Sequence, residues 1–173
     1  MQRFFRRVLM AASLALAAGL VGQSASADPF TSLHWESVTG IAQLNNVVGS
    51  GTGAVTGGGI PWSALDGDAT DDPVRGRLSF RVRGLVLAGG NFIGTPGTTT
   101  QVRGTLVCDT DGSATGGNSV LVDTPLVQLG DLGDATFSGT LGPLPAVCAT
   151  EPDVAFLVRL GSGRWIANAT VLH

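Results

Sequence analysis

The chain has 173 residues, with ten arginines against thirteen acidic residues and a formal charge of −3, and it contains neither lysine nor tyrosine. Glycine is abundant, at 26 residues, whereas charged residues make up only 13% of the chain. This acidic composition argues against a nucleic-acid binder or an anionic-membrane binder, because attraction to phosphate requires many cationic contacts.

Residues 1–27 have the pattern of an export signal. Arginines near the start precede an apolar run over residues 8–21, and the small residues 25–27 form a cleavage motif. The run is shorter than the about 20 residues that a permanent membrane span needs. We therefore predict a cleavable signal peptide and a secreted or periplasmic protein with no transmembrane segment after cleavage. The general secretory route is favoured over the twin-arginine route, because Phe5 replaces the Ser or Thr expected ahead of Arg6 and Arg7.

Residues 28–173 are predicted to form one domain. They carry seven arginines against thirteen acidic residues, a formal charge of −6. Their number suits a single core that buries about 70% of the unfolded surface. No repeat, heptad or linker interrupts this segment.

The N-terminal part of this domain begins with a predicted strand over residues 33–44. The glycine-rich stretch 49–59 follows and predicts a flexible loop, because it lacks the spacing and the following helix of a phosphate-binding loop. Trp62 is the best candidate among the three tryptophans for an exposed side chain that stacks on a sugar. The alternative is that all three tryptophans fill the core of a chain with few aromatic residues.

Residues 66–73 are predicted to form an acidic loop. Ca²⁺ takes six to eight oxygen ligands, so the carboxylates of this loop are a candidate calcium site, at Asp66, Asp68, Asp71 and Asp72. Asp109 and Asp111, in the predicted loop 109–118, form a second and smaller candidate. Neither loop matches the EF-hand template. The commoner alternative is that these aspartates hydrogen-bond to their own backbone in turns.

Residues 75–86 show the period-two alternation of a half-buried strand, with apolar side chains on one face. The other face carries a row of arginines, Arg75, Arg77, Arg81 and Arg83. This row, together with Trp62, is a candidate surface for an acidic polysaccharide or an acidic envelope protein. The alternative is that Asp123, Asp131 or Asp134 on neighbouring elements pairs with these arginines in a salt-bridged outer sheet.

The second half of the chain contains five further predicted strands. Residues 101–108 and 135–141 alternate in the same way, with Thr105 outward in the first, and residues 119–123 form a short strand that Pro125 limits. Residues 154–160 and 164–172 are separated by Gly161, Ser162 and Gly163, which predicts a hairpin.

Cys108 and Cys148 are the only cysteines, and they are predicted to form a disulfide. Two thiols in an exported chain most simply pair with each other. A reactive or metal-binding pair lacks both a CxxC spacing and a nearby histidine.

These elements together predict an all-β fold. Seven or eight short strands separated by turns favour an antiparallel β-sandwich, and a partly closed β-barrel is the alternative.

Catalytic motifs are scarce. The chain has no GxSxG or HExxH motif, and its only histidines are His34 and His173. His34 and Glu36 lie two residues apart and could form an acid–base pair, although a surface pair is the commoner arrangement. Two aspartates brought together from separate loops could still serve glycoside hydrolysis.

The second half of the chain resembles a class of small exported bacterial proteins without an assigned activity. The resemblance lies in a strand ending at Cys108, a strand that opens near Gly133, the Pro-x-x-Cys motif at Cys148 and the terminal Gly-x-Trp-Ile-Ala strand. It implies an exported β-sandwich and carries no function with it. From the residues we expect a noncatalytic binding or cell-envelope module, with a secreted hydrolase built on loop carboxylates as the alternative. No cofactor is predicted apart from the candidate calcium ions.

Overall fold

A computed structural model describes residues 32–169 of the chain. The predicted export signal and the last three residues of the predicted strand 164–172 lie outside this range. The described part contains one 3₁₀ turn, Gly51–Gly53, one helical turn, α1 (Val147–Thr150), and fourteen strands. The strands are β1 (Leu33–Trp35), β2 (Val38–Gly40), β3 (Val47–Val48), β4 (Val55–Thr56), β5 (Trp62–Ser63), β6 (Asp66–Asp72), β7 (Arg77–Arg83), β8 (Val86–Leu87), β9 (Gln101–Cys108), β10 (Val120–Asp123), β11 (Val127–Gln128), β12 (Ala135–Thr140), β13 (Ala155–Leu160) and β14 (Trp165–Ala169).

Two antiparallel sheets form the body of the molecule. The four-stranded sheet has the order β1-β6-β7-β12. The six-stranded sheet has the order β10-β9-β13-β14-β2, with β11 also paired to β9. Two small sheets, β3-β4 and β5-β8, complete the strand pairing, and no sheet closes into a barrel within the described residues. The fold is therefore all-β and sandwich-like, as predicted.

The core lies between the two large sheets. Phe80 of the four-stranded sheet packs against Phe156 of the six-stranded sheet, with ring centroids 5.6 Å apart, and Trp35 lies 5.9 Å from Phe156. Gly104 makes room for this cluster, because a Cβ at that position would lie 2.8 Å from the Phe80 ring. Aromatic rings that bridge the sheets thus occupy space that a side chain on β9 would otherwise fill.

The period-two alternation is confirmed over β7, whereas Arg75, predicted to lie on the same strand, is in the turn that precedes it. Leu78, Phe80 and Val82 are buried, while Arg77, Arg81 and Arg83 are exposed. The strand ends at Arg83, and Gly84, with a φ of +62°, breaks it before the short strand β8.

Thr105 on β9 was predicted to face outward, but its side chain is fully buried. Its hydroxyl donates to Asp123 Oδ1 at 2.6 Å and accepts from Arg159 Nη1 at 3.4 Å. The central strand β9 is therefore buried on both faces along its second half, a situation that alternation alone does not reveal.

The C-terminal hairpin is confirmed over the described residues. Strands β13 and β14 pair antiparallel, with a register irregularity at Val158 and Arg159. Gly163, with a φ of +96°, donates its main-chain N–H to the Leu160 carbonyl and completes the turn.

Three boundary predictions are wrong. Residues 33–44 do not form one strand, because β1 belongs to the four-stranded sheet and β2 to the six-stranded sheet. The predicted loop 49–59 contains β4 and a 3₁₀ turn. The predicted acidic loop 66–73 is largely the strand β6, because pairing with β7 outweighs the turn-forming tendency of its aspartates.

Cys108 and Cys148 form the predicted disulfide, which joins the end of β9 to α1. Both cysteines are fully buried. Among the described helices, neither is long and apolar enough to cross a membrane.

We predict that removing this disulfide lowers the free energy of unfolding by about 4 kcal/mol, since the bond closes a 40-residue separation in the unfolded chain. The comparison is urea unfolding of the oxidised protein and of the Cys108→Ala/Cys148→Ala variant, followed by tryptophan fluorescence. Coincident unfolding midpoints with equal slopes would contradict the prediction.

Candidate functional site

The outer face of the four-stranded sheet carries a ladder of ion pairs. The register places aspartates of β6 opposite arginines of β7, in the pairs Asp66–Arg83, Asp68–Arg81 and Asp72–Arg77. Arg81 donates from Nε and Nη2 to Asp68 Oδ1 at 3.0 and 2.7 Å. Arg83 donates in the same way to Asp66 Oδ2 at 3.2 and 2.8 Å. The hydrogen bond from Arg81 to Asp68 is the main reason that the pKa of Arg81 is raised.

The ion pairs confirm a salt-bridged outer sheet but correct its partners. Asp123 pairs instead with Arg103 and Arg159, at 3.1 and 3.0 Å, on the six-stranded sheet. Asp134 accepts a hydrogen bond from the main-chain N–H of Gly84. The expected pairing of Asp123, Asp131 or Asp134 with the arginine row is wrong, because the adjacent strand is β6, which the sequence analysis interpreted as a loop.

The same finding bears on the first candidate calcium site. Asp66, Asp68 and Asp72 face outward and are engaged by arginines. Asp71 lies between them in sequence, is 1% exposed, and therefore faces the interior. The four carboxylates thus do not form the single ligand set that the acidic composition suggested.

The two ends of the ladder differ in charge balance. At the end near the turn, Asp72 Oδ2 accepts from Arg75 Nη1 at 2.9 Å and contacts Arg77 Nη2 at 3.5 Å. Two arginines therefore share one carboxylate at this end, whereas at the other end Arg81 and Arg83 face two aspartates, and Arg81 contacts both of them. The hydrogen bonds from Arg75 hold the pKa of Asp72 below its usual range.

A groove of about 360 Å³ runs across the sheet at the Arg77 end. Alternation places two rows of side chains on this outer face, with Asp72 and Arg77 in one row and short hydroxyl side chains in the other. The hydroxyl row is Thr70, Ser79 and Ser138, and Ser32 also lines the groove. The Thr70 and Ser79 hydroxyls hydrogen-bond to each other at 2.5 Å. The groove therefore offers hydroxyl donors and acceptors beside a guanidinium that is largely open to water.

Asp71 lies beneath this groove, on the other side of the sheet. Neither of its carboxylate oxygens has a hydrogen-bond partner within the described residues. Burial raises the pKa of Asp71 to about 7, and the negative charge of Asp72 adds to the rise. Asp71 and Asp72 cannot act together on one substrate, because consecutive strand residues project to opposite faces.

A second acidic cluster lies beside the disulfide. Carboxylate oxygens of Asp109, Asp111 and Asp153 approach one another within 4.8 Å. Burial acts to raise the pKa of Asp109, but hydrogen bonds from Thr115 and Ala114 outweigh it and keep this pKa low. Asp153 Oδ2 accepts from the main-chain N–H of Asp111 at 3.0 Å.

Sequence reasoning nominated Asp109 and Asp111 but missed Asp153. The disulfide explains the proximity, because Cys108 immediately precedes Asp109 and Cys148 lies five residues before Asp153. Calcium binding at this cluster stays a prediction.

The prediction of an exposed Trp62 is wrong, since this side chain is 6% exposed. Trp35 and Trp165 are also buried, so the alternative interpretation of the tryptophans as core residues is confirmed. Trp62 lies on β5, which pairs with β8 and places Trp62 opposite Leu87. It forms part of the wall of a cavity of about 320 Å³.

His34 lies on β1 opposite Thr70 and is exposed, and Glu36 directly follows that strand. Their role as an acid–base pair stays a prediction.

Comparison with family models, curated proteins and solved structures yields no match to this chain. The resemblance to small exported bacterial proteins therefore stays a prediction.

We predict that the stability of the protein falls as the pH rises from about 4 to about 7, because of Asp71. The unfolded carboxyl ionises near 3.8 and the folded one near 7, so the folded state holds the extra proton throughout this window. Asp71→Asn should remove this slope and raise the free energy of unfolding above pH 7 by about 1–3 kcal/mol.

The measurement is urea unfolding at several pH values across the window. The exposed Asp131 provides the matched control, Asp131→Asn, which should keep the wild-type slope. The low pKa values of Asp72 and Asp109 place their titration below this window. Equal slopes for wild type and Asp71→Asn would refute the assignment.

Proposed function

We propose that this protein is an exported, noncatalytic binding module whose four-stranded sheet binds an acidic polysaccharide on its outer face. The observation that carries the proposal is the groove at the Arg77 end of that face, where hydroxyl side chains lie beside an arginine that has only a weak share in one carboxylate. The charge and the hydrogen-bonding groups of the groove support this ligand class.

Charge supports an anionic ligand. The outward-facing charges of β6, β7 and their turn are four arginines and three aspartates. Because Asp66 and Asp68 are matched to Arg83 and Arg81, the surplus positive charge lies with Arg75 and Arg77. The Arg77 side chain is 63% exposed, and a guanidinium has five N–H donors, so it can still bind a carboxylate or a sulfate.

Shape and hydroxyl content support a saccharide. The groove is lined by residues of three neighbouring strands, β6, β7 and β12, so a saccharide bound there would contact all three. Ser32, Ser79 and Ser138 provide hydroxyls that both donate and accept, which suits the many hydroxyls of a sugar ring.

A hydrolase is less well supported than a binding module. Glycoside hydrolysis uses two carboxyl groups about 5 to 9.5 Å apart that face the same bond. Asp71 and Asp72 both line the groove, but only the Asp72 carboxylate projects to its outer-face side, because consecutive strand residues point to opposite faces of the sheet. The acidic cluster of Asp109, Asp111 and Asp153 lies outside the groove at Arg77 and outside the cavity at Trp62. It also lies outside a third cavity, which Thr136 of β12 lines.

The proposed location agrees with the chemistry of the chain. The first 27 residues have the composition of an export signal. A structural disulfide is typical of oxidising compartments outside the cytoplasm. An acidic polysaccharide of the cell envelope or its surroundings would be accessible there.

We predict that the protein is retained on immobilised alginate and heparin at low salt but not on neutral dextran. Arg77→Gln should weaken binding by about tenfold, since one charge-assisted hydrogen-bonded contact is lost. Affinity chromatography with a salt gradient measures the change.

The matched control is Arg83→Gln, which removes the same charge from the same strand at the end where Asp66 neutralises it. It should elute close to wild type. Absence of wild-type retention, or equal losses in both variants, would overturn the proposal.

A further inference from the structure

A second cavity, separate from the groove at the Arg77 end of the four-stranded sheet, lies between the β5-β8 sheet, the loop 92–99 and the turn of the β13-β14 hairpin. Its volume is about 320 Å³. Trp62 and Leu87, which are 6% and 8% exposed, form apolar walls deep in the cavity. Ile60 and Phe92 also line it and are 46% and 59% exposed. The cavity therefore has an apolar interior that opens to water between hydrophobic side chains.

Arg164 is the only charged residue that lines this cavity. Over residues 32–169 the chain has seven arginines, and six of them form salt bridges with aspartates. Arg164 is the exception. Its Nη1 donates to the Gly57 carbonyl at 2.7 Å and to Asn45 Oδ1 at 3.3 Å, which are both neutral acceptors.

The remaining donors of Arg164 match a carboxylate. Nε and Nη2 form the edge of a guanidinium that binds a carboxylate through two parallel hydrogen bonds. Neither atom donates to a protein group within the described residues, whereas Nη1 holds the side chain against the 57–58 segment. The arginine is therefore anchored by one nitrogen and leaves its carboxylate-binding edge available.

We propose that this cavity binds a carboxylate that carries an apolar chain, with the chain against Trp62 and Leu87 and the carboxylate on Arg164. Charge complementarity selects the head group, because the cavity lining contains one cation and no acidic side chain. The apolar walls select the chain, since burying it removes hydrocarbon surface from water. The volume lies at the small end of ordinary ligand pockets, which favours a chain of medium length.

A substitution at Gly59 can test the apolar part of the same cavity independently of Arg164. It lines the cavity, and a Cβ built on it meets no atom within 4 Å. Its backbone is not in the left-handed region, so a larger residue is accommodated without strain. Gly59→Leu should therefore reduce the space for the chain without disturbing Arg164.

The experiment is calorimetric titration of the purified protein with decanoate, decanol and decylammonium, with the two ions below their micelle-forming concentrations and decanol below its solubility limit. Wild type should bind decanoate at least about tenfold more tightly than decanol, and decylammonium more weakly than either. Arg164→Gln should abolish the preference for decanoate over decanol. Arg164→Lys should retain part of it, because the positive charge is kept.

Gly59→Leu should weaken decanoate and decanol alike, which separates loss of the chain site from loss of the head-group site. Arg83→Gln, whose arginine belongs to the ladder on the four-stranded sheet, should bind all three probes as wild type does. Equal affinity of wild type for decanoate and decanol would overturn the proposal. So would wild-type decanoate binding in both Arg164→Gln and Gly59→Leu, or no binding of decanoate by wild type at about 1 mM.

Discussion

In the β6-β7 hairpin, Asp72 lies opposite Arg77 and Ala69 lies opposite Phe80, and the rest of the four-stranded sheet depends on this register. Because side chains alternate along a strand, the same pairing directs the Asp–Arg ladder to solvent and Phe80 to the core. A slip of one residue would expose Phe80 and bury the arginines. The turn helps to prevent it, since Gly76 has a φ of +62° and a Cβ there would lie 1.8 Å from the Gly142 carbonyl oxygen.

The Asp–Arg ladder matters more for the distribution of charge on the sheet than for the stability of the protein. Exposed ion pairs each contribute only about 0 to 1 kcal/mol, so these pairs add little to stability. Without the aspartates, however, Arg81 and Arg83 would repel each other across about 7 Å on this face, and Arg77 would add to the excess of positive charge. Local pairing also decides where charge is left over, at Arg77 on the sheet and at Arg164 beside the apolar cavity. Both proposed sites therefore follow from incomplete pairing, because Arg77 shares Asp72 with Arg75 and Arg164 donates only to neutral acceptors.

Asp71 shows the opposite situation, a carboxyl that the fold places in the interior without a partner. A buried, unpaired carboxylate is costly, and this cost is reduced because the raised pKa of about 7 keeps the Asp71 carboxyl largely protonated below neutral pH. At the six-stranded sheet, the disulfide joins the end of β9 to α1. It thereby holds the two segments that bring Asp109 and Asp153 together, and their mutual repulsion is offset by hydrogen bonds from neighbouring loop residues.

Alternation, cysteine number and turn composition were sufficient to predict the all-β class, the half-buried arginine strand, the disulfide and the C-terminal hairpin. The aspartates of β6 could have been predicted as a strand, since Asp66, Asp68 and Asp72 share one parity and Asp71 has the other. Their turn-forming composition concealed this alternation. The strands and the hairpin could be predicted because they depend on neighbouring residues along the chain, and the disulfide because the chain has only two cysteines. Only the tertiary structure decided the other features. These are the partners of the arginines, the burial of Trp62 and Thr105, the approach of Asp153 to Asp109 and the unmatched charge of Arg164. Each of these depends on which distant strands lie side by side, and the energies that select those neighbours are summed over the whole core.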